Sequence, residues 1–271
     1  MYSLNGIQLD NEAKGWRVLR RGTQVLSGIS KELTKVKVPG YDGYFRAPST
    51  RSEQMMIINV RTPLESLEEL MALVATPTVV VTKDGDATRE AIAELVSAIP
   101  SGDFPEDSLV DLTITLNVWG AAWRDVTATV YGPYTVADPV MDIEILTGIS
   151  APIRDFDVFL AGDFDEFELV DDGGSWLKST ASWTGSGTTG MLYVGSTGQT
   201  FLANTTSPWV PVSDAGHLVD VSGGGGFKIT PQNEVGDPSS RHGKLTLTTL
   251  EQTSTAISIR AKGAYAMQYG G

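Results

Sequence analysis

From residue 142 to the C-terminus the chain keeps no helical period, and that limits its fold more than any other feature. Residues 142–271 are rich in Gly, Ser and Thr. Short apolar runs recur between turn residues, at 155–160, 164–170, 191–194, 199–203, 218–222, 226–230, 244–250 and 255–260. Leu245-Thr246-Leu247-Thr248 and Ile257-Ser258-Ile259-Arg260 alternate strictly, which gives each strand one buried and one wet face. Short strands at this spacing build an antiparallel sandwich or barrel.

The first half also reads as β, with one helix. Strands are expected near 2–8, 15–21, 32–38, 43–47 and 53–60. Thr62-Pro63-Leu64-Glu65 has the pattern of a capping box with Pro at the first helical position, so a helix is expected over 62–75. Leu64, Leu67, Leu70, Met71 and Val74 fall on one face of it. Glu65, Glu68 and Glu69 occupy its early turns, where the helix dipole favours acid. A strand at 78–82 and a turn at Asp84-Gly85 follow. Residues 87–97 suit a helix face through Ala91, Ile92, Leu95 and Val96, or a strand through Ile92, Glu94 and Val96. The flanking turn and the strand at 109–118 favour a hairpin, hence a strand. Tyr131-Gly132-Pro133-Tyr134 and Ala137-Asp138-Pro139 mark a boundary.

Charge and composition exclude several classes. The net charge is −13, with −4 in residues 1–136 and −9 in residues 137–271. Such an excess of acid disfavours tight binding to a nucleic-acid backbone and to anionic membranes. There is no cysteine, so neither a disulfide framework nor a thiolate metal site can form. The first residues lack the basic start and apolar core of a signal peptide. No apolar run approaches the roughly 20 residues that span a bilayer. Synthesis in the cytoplasm is expected.

Val38-Pro39-Gly40-Tyr41-Asp42-Gly43 then acquires a second meaning. By itself it is a strand running into a rigid turn: Pro39 fixes φ, and Gly40 and Gly43 tolerate positive φ. Together with the opening Tyr2-Ser3-Leu4-Asn5-Gly6-Ile7, with Gly15-Trp16-Arg17-Val18 and with Trp119-Gly120-Ala121-Ala122-Trp123-Arg124-Asp125, it resembles the N-terminal domain of distal tail proteins of long-tailed, non-contractile bacteriophages. That family typically has Arg where Tyr41 stands and Pro where Ala121 stands. The resemblance covers about the first 125 residues.

What the resemblance implies is a mainly β protein. Residues 1–136 would be an N-terminal β-barrel or sandwich-like ring-forming domain with one helix. Residues 137–271 would be an antiparallel β-sandwich, whose last strand, near 255–266, stays there or returns to the first domain. The implied role is structural: a minor tail protein of the virion, forming a hexameric ring at the distal end of the tail. It would join the tail tube protein to the tip, hub or baseplate proteins that recognise the host. DNA would pass through the lumen without specific binding. No catalytic residue, metal or cofactor is called for, and no membrane contact. The key structural residues would be Pro39, Gly40, Asp42 and Gly43.

Residues capable of chemistry leave two other classes open. Trp176, Trp183 and Trp209 lie in Gly- and Ser-rich surroundings, and flat rings on a β-sandwich can contact a saccharide. A carbohydrate-binding or receptor-binding component of the tail tip is therefore the alternative. A β-sandwich hydrolase is weaker, because the two histidines, His217 and His242, accompany no Gly-x-Ser-x-Gly elbow; Ser186 lies in a loop. Asp155, Asp157, Asp163, Asp165, Glu166, Glu168, Asp171 and Asp172 cluster without a basic residue. They offer hard oxygen ligands, but Glu168 stands where an EF-hand loop needs glycine. The alternation reads better as a solvated edge strand. The run Gly223–Gly226 is followed by no Lys-Ser/Thr and by no helix, so it is a turn and not a phosphate loop.

Overall fold

Alternation of apolar residues along long strands dominates the structure, a computed structural model. It describes residues 2–24, 31–32, 35–36, 45–46, 50–51, 54–83, 86–101, 109–179, 182–183, 187–215, 219–221, 226–234 and 237–265. The turn Pro39, Gly40, Asp42 and Gly43 lies outside the described residues, as do His217, Ser186, the Asp84-Gly85 turn and Gly223 to Gly225. The chain divides into two units, one through Val126 and one from Thr127 to Tyr265. The protein is mainly β, with one α-helix and two curled antiparallel sheets among the described residues.

The strands of the first unit are β1 (Tyr2–Leu4), β2 (Ile7–Gln8), β3 (Arg17–Gln24), β4 (Lys31–Glu32), β5 (Lys35–Val36), β6 (Phe45–Arg46), β7 (Thr50–Arg51), β8 (Gln54–Pro63), β9 (Val79–Lys83), β10 (Asp86–Ser101), β11 (Leu109–Val118) and β12 (Trp123–Asp125). The main sheet runs β2-β1-β9-β10-β11-β8-β3, with β12 beside β10. Two short ladders, β4–β7 and β5–β6, lie between β3 and β8 in sequence. A 3-10 turn at Glu12–Lys14 carries the chain from β2 to β3. The Asp10 carboxylate accepts the Val18 amide at 2.9 Å. This ties the turn after β2 to the start of β3.

Strict alternation sets the core. Met56, Ile58 and Val60 of β8 and Leu112, Ile114 and Leu116 of β11 are buried. Helix α1 (Leu64–Val74) buries Leu70 and Val74 and contacts β8, β10 and β11. It starts two residues later than expected. Thr62 and Pro63 continue the ladder opposite Val110 and Leu109. The Thr62 side chain is fully buried and forms no cap. The strand pairing, not the capping pattern, decides the helix start. Residues 87–97 are strand, with a bulge between Leu95 and Ser97.

The second unit contains β13 (Thr129–Thr135), β14 (Val140–Ile145), β15 (Phe156–Asp171), β16 (Trp176–Ser179), β17 (Thr189–Val194), β18 (Gln199–Asn204), β19 (Ser207–Asp214), β20 (Asp220–Val221), β21 (Pro231–Glu234) and β22 (Asp237–Ala261), followed by Ala264–Tyr265. The sequence suggested a boundary at 136/137, but β13 pairs with β22, so that Pro/Gly stretch lies inside the second unit. Strands β15 and β22 pair from Phe156↔Ala261 to Asp171↔Leu245 and form the spine. At one end β13 flanks β22 while β17, β18 and β19 flank β15; at the other, β14 and β21 flank β22 and β16 flanks β15. A register shift sits between Ala161 and Asp163, where Gly162 takes φ 91°. That irregularity lets one continuous pair serve both halves of a curled sheet.

Candidate assembly surfaces

The acidic run 155–172 is not an edge strand. It forms the central β15, paired on both sides. Two of its carboxylates, those of Asp157 and Asp171, are tied into the fold. Asp157 is the cross-strand partner of Arg260, whose Nε and Nη2 lie 2.9 and 2.5 Å from Asp157 Oδ2. Burial raises the pKa of Asp157, and the Arg260 hydrogen bond only partly opposes it. Asp171 is buried; its Oδ2 accepts the Gly173 amide at 2.9 Å and its Oδ1 the Thr230 amide at 2.8 Å. Burial raises its pKa as well. Among the described residues no group of three His, Cys, Asp or Glu side chains is arranged to hold a metal ion.

The three tryptophans lie at three registers of β15. Trp209 packs edge-on against Phe159, with ring centroids 6.4 Å apart, and Arg260 lies 5.1 Å from its ring centre. Trp183 bridges Phe164 through backbone hydrogen bonds of 2.8 and 3.0 Å, and its indole nitrogen is buried without an acceptor. Trp176 pairs with Val170. Phe159 and Val170 are eleven positions apart on one strand, on the order of 35 Å at the usual rise. The fold does not gather these rings into one platform. His242 lies 3.9 Å from Glu144 and is largely buried.

The first unit instead presents an open sheet face. The side of β8, β10 and β11 turned away from the buried residues carries ordered cross-strand pairs. Arg61 donates to Asp111 through Nε at 2.6 Å and Nη2 at 2.9 Å. This holds the Asp111 carboxyl below the usual carboxylate range. Thr113 donates to Asn59 at 2.7 Å, and Asn117 to Glu94 at 3.2 Å. Met55, Val96 and Ile99 are exposed. At the far end, Leu109 pairs with Pro63 next to Leu64, and both leucines are about half exposed. Exposed apolar residues interspersed with fixed polar pairs are what a protein interface requires. Sequence reading missed this surface, because Arg61 and Asp111 are fifty residues apart and only register brings them together.

No family model matches the sequence, and no curated protein matches it either. The fold, however, is similar to a solved one. The chain superposes on the Dit (gp 19.1) protein of phage SPP1, described as a paradigm of the hub adsorption apparatus in phages infecting Gram-positive bacteria. The TM-score is 0.52 at 12% identity, over 98% of this chain and 99% of that one. Chains of the phage P2 baseplate in its activated conformation also align, one with Ca over 94% of this chain and one with Sr over 98%, each at 9% identity and a TM-score of 0.43.

Proposed function

We propose that this chain is a structural protein of a bacteriophage tail that forms a hexameric ring at its distal end. The ring joins the tail tube protein to the tip or baseplate proteins that engage the host, and DNA passes through its lumen. The observation that carries this reading is the end-to-end agreement with the SPP1 Dit fold, which spans both units and leaves almost none of either chain unmatched. The short motifs of the first unit support it independently. So does the open face of β8, β10 and β11, since closed rings are built from heterologous contacts between protein surfaces. On this reading the work is done by interfaces, and no residue is assigned a catalytic role.

The reading is tested by negative-stain imaging of the purified full chain and by antibody labelling of virions that contain it. Rings in solution and label at the distal tip of the tail are expected. Label along the capsid, or no label on intact virions, overturns it.

A further inference from the structure

Register makes the open face of β8, β11 and β10 one continuous surface. Across β8 and β11 it runs from Met55↔Asn117 to Pro63↔Leu109, and across β10 and β11 from Glu94↔Asn117 to Ser101↔Asp111. Its polar side chains are already satisfied within the chain. The Arg61 guanidinium holds Asp111 through two hydrogen bonds, and the Ser101 hydroxyl donates to the Asp111 carbonyl at 3.1 Å. Thr113 donates to Asn59, whose Nδ2 donates on to the Arg21 carbonyl at 3.3 Å. Asn117 donates to Glu94. Asn117 Oδ1 has no donor, but it is buried already. Burying a polar group costs little when its hydrogen bonds are made and much when they are not. This face can therefore lose its water at low cost.

The same face carries apolar side chains that the unit leaves uncovered. Met55, Val96 at the β10 bulge, Ile99 and Leu109 keep 43 to 59% of their surface exposed. They are four of the eleven large apolar side chains left exposed among the described residues. Scattered exposed apolar residues are ordinary. Grouped on one face whose polar groups are paired off, they mark a contact.

Charge points to the occupant. The chain carries −13, so two copies repel unless they meet where charge is compensated. The paired positions of this face hold Arg61, Asp111 and Glu94, a net of −1, and Arg17 opposite Arg61 brings the sum to zero. A face made for an oppositely charged partner, nucleic acid included, would keep charges of one sign unpaired for it. Here the charges are matched inside the chain, as contact with an equally acidic partner requires.

We propose that the open face of β8, β10 and β11 is covered by a second copy of this chain, through a dry contact centred on Met55, Val96, Ile99 and Leu109. In a closed ring each copy meets its neighbours through two different surfaces, and this face is one of them. The inference rests on the ring reading and assigns the face to the contact between copies, not to the lumen.

The chain has no cysteine, so I99C places a single thiol on this face, and V96C is a second such variant. The purified full-length variant is followed by sedimentation velocity along a dilution series, and a maleimide measures access to the thiol at each concentration. Only copies of this chain are present, so any cover is a copy. The thiol is expected to react freely in dissociated chain and at least ~10-fold more slowly in the assembly. I99E and V96E are expected to assemble at least ~10-fold more weakly than wild type, because each brings an unpaired charge into a dry contact. Raising salt from about 0.15 M to 1 M is expected to leave the protection in place, since screening acts little on a neutral contact. Circular dichroism checks folding; both sites are exposed, and either carries the test if a change at the other unfolds the chain. A thiol that reacts equally fast in both states, or glutamate variants that assemble as wild type does, overturns this contact and leaves the ring reading standing; the face then lines the lumen or serves another tail protein. Protection lost at high salt assigns the contact to charge pairs and overturns it as well. A wild-type chain that stays monomeric overturns both this contact and the ring reading.

Discussion

Arg260 grips Asp157 across the spine of the second unit, with two nitrogens on one carboxylate oxygen at 2.9 and 2.5 Å. The guanidinium also covers the Trp209 ring. One side chain thus ties β22 to β15 and to the edge strand β19. Arg260→Ala leaves a largely buried carboxylate without its counter-charge and uncovers Trp209. A loss of about 2–3 kcal/mol is expected, below the full range for a buried pair because Arg260 is partly exposed. Asp157→Asn removes the buried charge and leaves Arg260 in reach of water, so it is expected to cost less. Urea denaturation of the two variants decides; the reverse order contradicts the account.

Asp111 and Asp171 are expected to respond to acid with opposite signs. The Arg61 hydrogen bond lowers the Asp111 pKa. That stabilisation is present above the unfolded-state value, about 3.9, and is lost as pH falls through the lower folded value. Asp111→Asn should therefore cost about 0.5–1 kcal/mol near neutrality and progressively less in acid. Burial raises the Asp171 pKa. The folded state then takes up its proton more readily than the unfolded chain, so the contribution of Asp171 improves as pH falls through the raised value. The stability advantage of wild type over Asp171→Asn should widen between pH 7 and pH 4. Urea titrations from pH 7 down to about pH 2.5 test both signs; gaps that move in the same direction contradict the assignment.

Thr62 discriminates between a cap and a ladder residue. Its hydroxyl donates to the Pro63 carbonyl at 3.1 Å and accepts from no helix amide, and the residue is fully buried. Thr62→Val keeps the shape and is expected to change stability by less than about 1 kcal/mol. A capping threonine would cost about 1–2 kcal/mol. Thermal unfolding separates the two.

Gly190 pairs with Ala161 beneath the Phe159 ring. A Cβ there would lie 2.5 Å from the Leu160 carbonyl oxygen. Since that atom is backbone, it cannot move aside without disturbing the spine. Gly190→Ala is expected to lower stability by roughly 1–3 kcal/mol, as over-packing does. An unchanged melting temperature would contradict the close approach.

Local pattern made the strand faces legible. Leu245, Leu247, Ile257 and Ile259 were expected to be inward and are fully buried. The single helix and the mainly β class followed from period alone. Long-range register was not legible. The runs 155–160 and 164–170 read as two strands because Gly162 interrupts them; in the fold they are one, kept continuous across the bulge by pairing with β22. The acidic run looked like an edge because its partners are remote: Arg260 is 103 residues from Asp157, and Thr230 is 59 from Asp171. Thr62 looked like a cap because the pattern is local, while the strand that claims it begins at Leu109. The same limit hid the open face of β8, β10 and β11, where every polar pair joins residues far apart in sequence.

The central claim is that the whole chain is a ring-forming tail component. Native mass spectrometry of the intact 29.0 kDa chain at micromolar concentration tests it most directly. The account predicts a dominant hexamer or a stack of hexamers. A chain that stays monomeric at high micromolar concentration, whatever the salt, would contradict it.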